Sequence, residues 1–160
     1  MMTRGLRLEI VDRRDFVLGT VASAAMAALL SSLPAAAQEK PKTLDEALKA
    51  ILGDAKPIEG KVSLDLPEIA ENGNTVPFAV SVDSPMTDSD YVKAIHILAT
   101  GNPQADVATF RFTPTSGKAS VASRMRLAKT QDVLAVAELS DGKFLLGKRV
   151  VKVTIGGCGG

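Results

Sequence analysis

The five residues that end the chain carry its most reactive side chain. Cys158 is the only cysteine in 160 residues, with Gly156 and Gly157 before it and Gly159 and Gly160 after it. A thiol reacts as its thiolate, and an unperturbed cysteine has a pKa of about 8.5. Since glycine has no Cβ atom, residues 156–160 are predicted to form a thin, flexible arm. Such an arm can bring the thiol into a narrow active-site channel of another protein.

Several chemistries are open to this thiol. It could hold a substrate covalently, or act in a thiol redox protein such as a peroxidase, although that class usually has an activated thiolate and a second, resolving cysteine. A ubiquitin-like carrier also ends in Gly-Gly, but it activates its terminal carboxylate with ATP. A binding module with an idle tail is the fourth interpretation. Oxidising compartments consume idle thiols, which favours a thiol with a function.

The charges near the arm give the thiol little activation. The last apolar run carries three cations that could favour the thiolate, namely Lys148, Arg149 and Lys152. The terminal carboxylate, two residues beyond Cys158, opposes them. We therefore expect a modestly nucleophilic thiol that becomes reactive mainly inside a partner's site. Prenylation is excluded, because only two residues follow the cysteine and the C-a-a-X signal needs three.

The N-terminal segment has the layout of an export signal. Arginines precede an uncharged apolar run at 16–33, and Pro34 and three alanines ending at Ala37 follow it. This order predicts a signal peptide at 1–37 with cleavage near Ala37. The pair Arg13-Arg14 resembles a twin-arginine signal, although Asp12 stands where Ser or Thr is usual. We expect a periplasmic protein with no membrane segment once the signal is removed.

The composition of the chain excludes other classes. The formal net charge is +1, and the segment after the signal is neutral, which argues against nucleic acid as a partner. A single histidine cannot build a multi-histidine metal site, and no cofactor motif is visible. His96 on an apolar strand is expected to be structural. Asp83, Asp88 and Asp90 are spaced too irregularly for a calcium loop.

The spacing of apolar residues predicts a mainly β domain at 38–155. Thr43 and Glu46 form a capping-box pattern, and a short helix with one apolar stripe is expected at 43–52. Beyond it the apolar period changes to two, and turn cues at 71–74, 83–85, 101–103, 115–117 and 140–142 separate the runs. Asp141-Gly142 between two apolar runs predicts a two-residue hairpin turn. The predicted strands are 61–66, 75–82, 91–99, 107–113, 119–127, 132–139 and 143–155. About seven short strands predict an immunoglobulin-like antiparallel β-sandwich, with an open barrel as the alternative.

The C-terminal end of the chain and several internal stretches resemble a known family. The run from Val153 to the terminal Gly-Gly-Cys-Gly-Gly, after a twin-arginine-like leader, is similar to the SoxY family of sulfur carriers from the periplasmic thiosulfate-oxidising Sox system. The stretches 58–61, 66–73, 82–86 and 95–97 look like that family as well. The resemblance covers essentially the whole chain after the signal.

The resemblance implies a covalent sulfur carrier and not an enzyme. Cys158 would be the attachment site, with Gly156, Gly157, Gly159 and Gly160 as its flexible flanks. The carrier would pair with a SoxZ-like β-sandwich subunit as a heterodimer. A SoxAX-like haem enzyme would conjugate thiosulfate to the thiol as an S-thiosulfonate, and a SoxB-like hydrolase would release sulfate. A sulfur dehydrogenase would oxidise the remaining sulfane sulfur. No cofactor beyond the bound sulfur species is expected.

Overall fold

The computed structural model describes residues 42–157 of the chain, so the predicted signal peptide at 1–37 lies outside the described residues. The single α-helix of this region, α1, spans Leu44–Leu52. The strands are β1 Ile58–Glu59, β2 Val62–Asp65, β3 Ile69–Asn72, β4 Val76–Val82, β5 Val92–Ala99, β6 Asp106–Arg111, β7 Ala119–Met125, β8 Gln131–Leu139 and β9 Phe144–Ile155. A short 3₁₀ helix, Pro114–Ser116, joins β6 to β7.

The helix begins where the sequence predicts. Thr43 is the N-cap, its hydroxyl accepts from the Glu46 amide, and the Glu46 carboxylate accepts from the Thr43 amide at 2.8 Å. This hydrogen bond also holds the pKa of Glu46 below its usual range. Gly53 ends the helix with a φ of 58°, which glycine adopts without strain. The capping box is thus confirmed by the structure.

The strands form the two sheets of a sandwich. One sheet has the order β1-β9-β8-β5-β6, with β3 also paired to β9, and the other has the order β2-β4-β7. β4 shows why these residues form strands: Val76, Phe78, Val80 and Val82 point inward, and the residues between them are more exposed. The predicted β-sandwich is confirmed, and the barrel alternative is wrong.

The core fills the space between the sheets and continues on the far side of the larger one. Ile95 and Ile97 of β5 face the inner core, as do Val133 and Ala135 of β8. The alternate residues of the same strands face the apolar stripe of α1, which covers a second cluster: Leu98, Leu134, Val136, Phe144 and Leu146. β5 and β8 are therefore buried on both faces, as their nearly continuous apolar sequences require.

Two short strands were missed by the sequence prediction. β1 and β3 run parallel to β9 and pair with its outer edge, β1 near Leu145 and β3 from Lys152 to Ile155. The predicted two-residue turn at Asp141 is also wrong in length. Leu139 and Lys143 close a three-residue loop, and Gly142 takes the positive φ of 82° that such a loop needs.

Candidate functional site

The base of the predicted arm lies at the end of β9. Ile155 is the last strand residue, and Gly156 and Gly157 follow it within the described part of the chain. Cys158, Gly159 and Gly160 lie outside the described residues, so the attachment site and the flexibility of the arm stay predictions. What the structure does show is how the chain is held immediately before the cysteine.

Main-chain hydrogen bonds hold this base between two loops. The Gly73 amide donates to the Ile155 carbonyl oxygen at 2.7 Å, and the Leu127 amide donates to the Gly73 oxygen at 2.8 Å. The Gly157 amide in turn donates to the Leu127 oxygen at 2.9 Å. Three segments that are far apart in sequence therefore meet at the residues that precede Cys158. Gly73 and Leu127 are site residues that the sequence analysis did not identify.

An amide network fixes the loop that carries Leu127. The side chain of Asn102 accepts from the Ala128 amide and donates to the Arg126 carbonyl oxygen, both at 2.9 Å. Its Oδ1 also accepts from Gln131 Nε2 at 2.9 Å, and Gln131 Oε1 accepts from the Gly101 amide. Among residues 42–157, Gln131 is the one polar side chain that is buried. The sequence marked the 101–103 turn but gave no sign of this network.

Two of the three cations of β9 have partners on the sandwich. Lys148 is paired with Asp132 at 3.0 Å, and Arg149 Nε donates to the Leu64 carbonyl oxygen. At about 3.3 Å per residue, Lys148 lies roughly 23 Å from Ile155 along the strand. This separation exceeds the screening length of about 8 Å at physiological salt. Only Lys152 is close to the strand's end.

His96 lies on the outer face of the large sheet, beside α1. Its Nδ1 is 3.0 Å from the Thr109 hydroxyl, and it lines a cleft that α1 borders. Burial lowers the pKa of His96, an effect that Arg111 reinforces, while Glu138 and Asp106 act in the opposite direction. The imidazole is half-buried and hydrogen-bonded, which fits the structural role that the sequence predicted.

The remaining candidates occupy ordinary positions. Asp83, Asp88 and Asp90 are exposed, and residues 42–157 contain no group of three or more acidic or histidine side chains that could hold a metal ion. Phe78 is buried, and its ring centroid is 6.2 Å from that of Phe110, so these aromatics belong to the core. No helix in the described region is long and apolar enough to cross a membrane.

The domain is an immunoglobulin-like β-sandwich, and its last strand leads into the sequence Gly-Gly-Cys-Gly-Gly. It is therefore one of the small domains that carry a single terminal thiol. The chain belongs to the SoxY family, because the family model for sulfur oxidation protein SoxY matches residues 48–158. A solved structure of the sulfur carrier protein SoxY from Chlorobium limicola f thiosulfatophilum is 36% identical, with a TM-score of 0.59. That match covers 71% of this chain and 97% of the Chlorobium protein. The resemblance found in the sequence is confirmed.

The fold is also found outside this family. A superoxide reductase (neelaredoxin) from Ignicoccus hospitalis matches with a TM-score of 0.52 and 18% identity, covering 74% of this chain and 99% of that one. At this identity the likeness shows the shared fold alone. A comparison with curated proteins gave no match.

Proposed function

We propose that this chain is a covalent sulfur carrier of the Sox system, not an enzyme, with Cys158 as its attachment site. The observation that carries the proposal is the SoxY family match, whose matched range ends at Cys158. The Chlorobium relative is described as a sulfur carrier, and the chain has no second cysteine with which Cys158 could form a disulfide. A carrier needs an accessible thiol and little else, which agrees with a domain in which, among residues 42–157, every buried side-chain nitrogen and oxygen atom has a hydrogen-bond partner.

The proposed cycle has four steps at the sulfur atom of Cys158. The Cys158 thiol and thiosulfate lose two electrons and one proton to form the S–S bond of an S-thiosulfonate, and a SoxAX-like haem enzyme accepts the electrons. A SoxB-like hydrolase then adds water across the terminal S–S bond, which releases sulfate and a proton and leaves a persulfide on the cysteine. A sulfur dehydrogenase would oxidise that sulfane sulfur to a sulfonate. Three water molecules supply the oxygen atoms, the six electrons released pass to the electron acceptor of the dehydrogenase, and the seven protons pass to solvent. A second hydrolysis releases sulfate and a proton and restores the thiol.

The partners of the carrier are part of the same proposal. A SoxZ-like β-sandwich subunit would form a heterodimer with this chain, and the enzymes named above would bind the arm in turn. Since the thiol reacts inside each partner's site, a modestly nucleophilic cysteine is sufficient. Lys148 and Arg149 are held by partners on the sandwich, which agrees with activation of the thiol by the partner enzyme.

The proposal places the carrier in the periplasm. Residues 1–37 would be a twin-arginine-type export signal. Cleavage after Ala37 would leave 123 residues, with the sandwich at 38–155 and the arm at 156–160. The intact mass of periplasmic protein tests this directly. We expect the mass of a chain that begins at Gln38. The mass of the full-length chain, found in the cytoplasm, would contradict export.

The carrier role is tested by intact mass spectrometry of protein from thiosulfate-exposed cells, before and after treatment with a reducing thiol. Reducible adducts of thiosulfate, sulfite or extra sulfur atoms are expected on Cys158, and Cys158→Ser should carry none. Deletion of 156–160 should abolish carrier function while the sandwich stays folded. If the wild-type mass stays unmodified, the binding-module interpretation returns. Rapid oxidation of Cys158 by peroxide to a sulfenic acid would favour a thiol redox protein instead.

A further inference from the structure

Three glycines at the base of the arm are packed so closely that a side chain cannot fit. A Cβ atom built on Gly73 would overlap the Leu127 carbonyl oxygen and lie 2.9 Å from the Gly157 nitrogen. One built on Gly156 would overlap the Ala128 carbonyl oxygen. One built on Gly157 would overlap the main chain of Gly73. In every case the obstacle is main chain, which cannot move away as a flexible side chain can.

The need for glycine at these positions is steric and not conformational. Gly53 and Gly142 have φ values of +58° and +82°, which disfavour other residues, whereas Gly73, Gly156 and Gly157 lie outside that range. An alanine could therefore adopt their backbone angles but not their contacts. Flexibility alone would predict glycine equally on both sides of Cys158. The contacts give Gly156 and Gly157 a second, steric reason to be glycine.

The surface that receives the arm is held firmly in place. Leu127 is fully buried, and Gly73 is buried as well. The neighbouring Ala128 amide donates to Asn102, which the buried Gln131 holds in turn. Buried amide groups that satisfy one another in this way specify one loop conformation. The carbonyl oxygens of Leu127 and Ala128 therefore have fixed positions when Gly156 and Gly157 pack against them.

We infer that Gly73, Leu127 and Ala128 form an arm seat that positions the base of the carrier arm, with Gly73 as a positioning residue for reactions at Cys158. The inference rests on the proposed carrier function and adds to it a defined point from which the arm leaves the domain. The chain is then held as far as Gly157 and not only as far as Ile155. A base held in this way sets the position and direction of the chain before Cys158, which limits the volume that a partner enzyme must search.

The test compares Gly73→Ala with Asn74→Ala in the full chain expressed in thiosulfate-oxidising cells. Asn74 is the control, because it lies in the same turn and its side chain is exposed, so truncation to alanine adds no atom that could press on Gly157. Gly73→Ala should speed hydrogen exchange of the Gly157 amide by about tenfold and lower the fraction of Cys158 that carries sulfur by a similar factor. Asn74→Ala should stay within about twofold of wild type in both measurements.

A second pair keeps the inference testable if Gly73→Ala does not fold. Gly157→Ala and Gly159→Ala flank Cys158 on opposite sides in the sequence. The seat predicts a large loss of sulfur loading for Gly157→Ala and a small one for Gly159→Ala, whereas a requirement for flexibility alone predicts equal losses.

A small disulfide reagent separates positioning from a damaged thiol. It needs no docking, so its rate with Cys158 should be unchanged in Gly73→Ala and Gly157→Ala, while enzymatic loading falls. Equal loading and equal exchange in all variants would overturn the seat. If wild-type Cys158 carried no sulfur, the carrier function would fail, and exchange of the Gly157 amide would still decide whether the seat exists.

Discussion

The Gly73 amide and the Ile155 carbonyl oxygen form a hydrogen bond of 2.7 Å that ties the turn after β3 to the last residue of β9. β9 loses its antiparallel partner β8 at Val151 and continues alongside β3 as far as Ile155. Without β3, the last strand residues would project from the sandwich with unpaired main-chain groups. The short parallel strand therefore carries the ordered structure up to the residues that precede Cys158.

Replacing Asn102 should destabilise the loop that receives the arm. Asn102→Ala removes one acceptor and one donor that serve the Ala128 amide and the Arg126 carbonyl oxygen. We expect a loss of about 2–3 kcal/mol in the free energy of unfolding, because partly buried groups lose their partners. Chemical denaturation measures it. The exposed neighbour Gln104→Ala is the control, and equal effects of the two variants would contradict the role of the network.

Two adjacent valines on β9 offer a matched comparison of burial. Val151 has no exposed surface, whereas Val150 is 57% exposed on the opposite face of the strand. Val151→Ala should lower the free energy of unfolding by roughly 2–3 kcal/mol, since it removes buried methyl groups and leaves a cavity. Val150→Ala should change it by less than about 0.5 kcal/mol. Comparable losses in urea denaturation would show that the two faces are not distinguished in this way.

The capping box of α1 can be tested at Thr43. Thr43→Ala removes the hydroxyl that accepts from the Glu46 amide and should cost about 1 kcal/mol. Thr43→Ser keeps a hydroxyl at the same place and should recover most of that loss. The thermal unfolding midpoint of the two variants decides the point: if the serine variant is no more stable than the alanine variant, the cap has no net effect.

His96 should make stability depend on pH. The pKa of His96 is lowered from the ordinary 6.5, mainly because the imidazole is half-buried. Glu138 and Asp106 partly oppose this lowering, whereas Arg111 adds to it. The unfolded chain therefore takes up a proton before the folded one as the pH falls below 6.5. The free energy of unfolding should decrease there and level off below the folded pKa.

His96→Gln removes the titrating group and serves as the reference for that measurement. Its free energy of unfolding should fall less than that of wild type between about pH 7.5 and pH 5. Carboxylates titrate in both proteins, so only the difference between them reports on His96. Parallel pH profiles would show that the fold does not favour the neutral imidazole.

The sequence by itself determined the class of fold and the family. Each of the seven predicted strands is present, with ends that differ from the prediction by no more than two residues. The reason is that each strand has its own local pattern, either alternating or nearly continuous apolar residues. The helix and its capping box are local as well, since Thr43 and Glu46 are three residues apart. The terminal Gly-Gly-Cys-Gly-Gly and the internal stretches were sufficient to indicate SoxY.

Only the tertiary structure decided how the arm is held. β3 has four residues without a clear alternating pattern, and it becomes a strand only because the edge of β9 is available to pair with it. Gly73 was visible in the sequence as a turn residue, but the crowding by Leu127 and Gly157 arises from three distant segments that meet in the fold. Local sequence patterns indicate the conformation that a segment prefers. The exclusion of a side chain at Gly73 follows only from the packing of the whole domain.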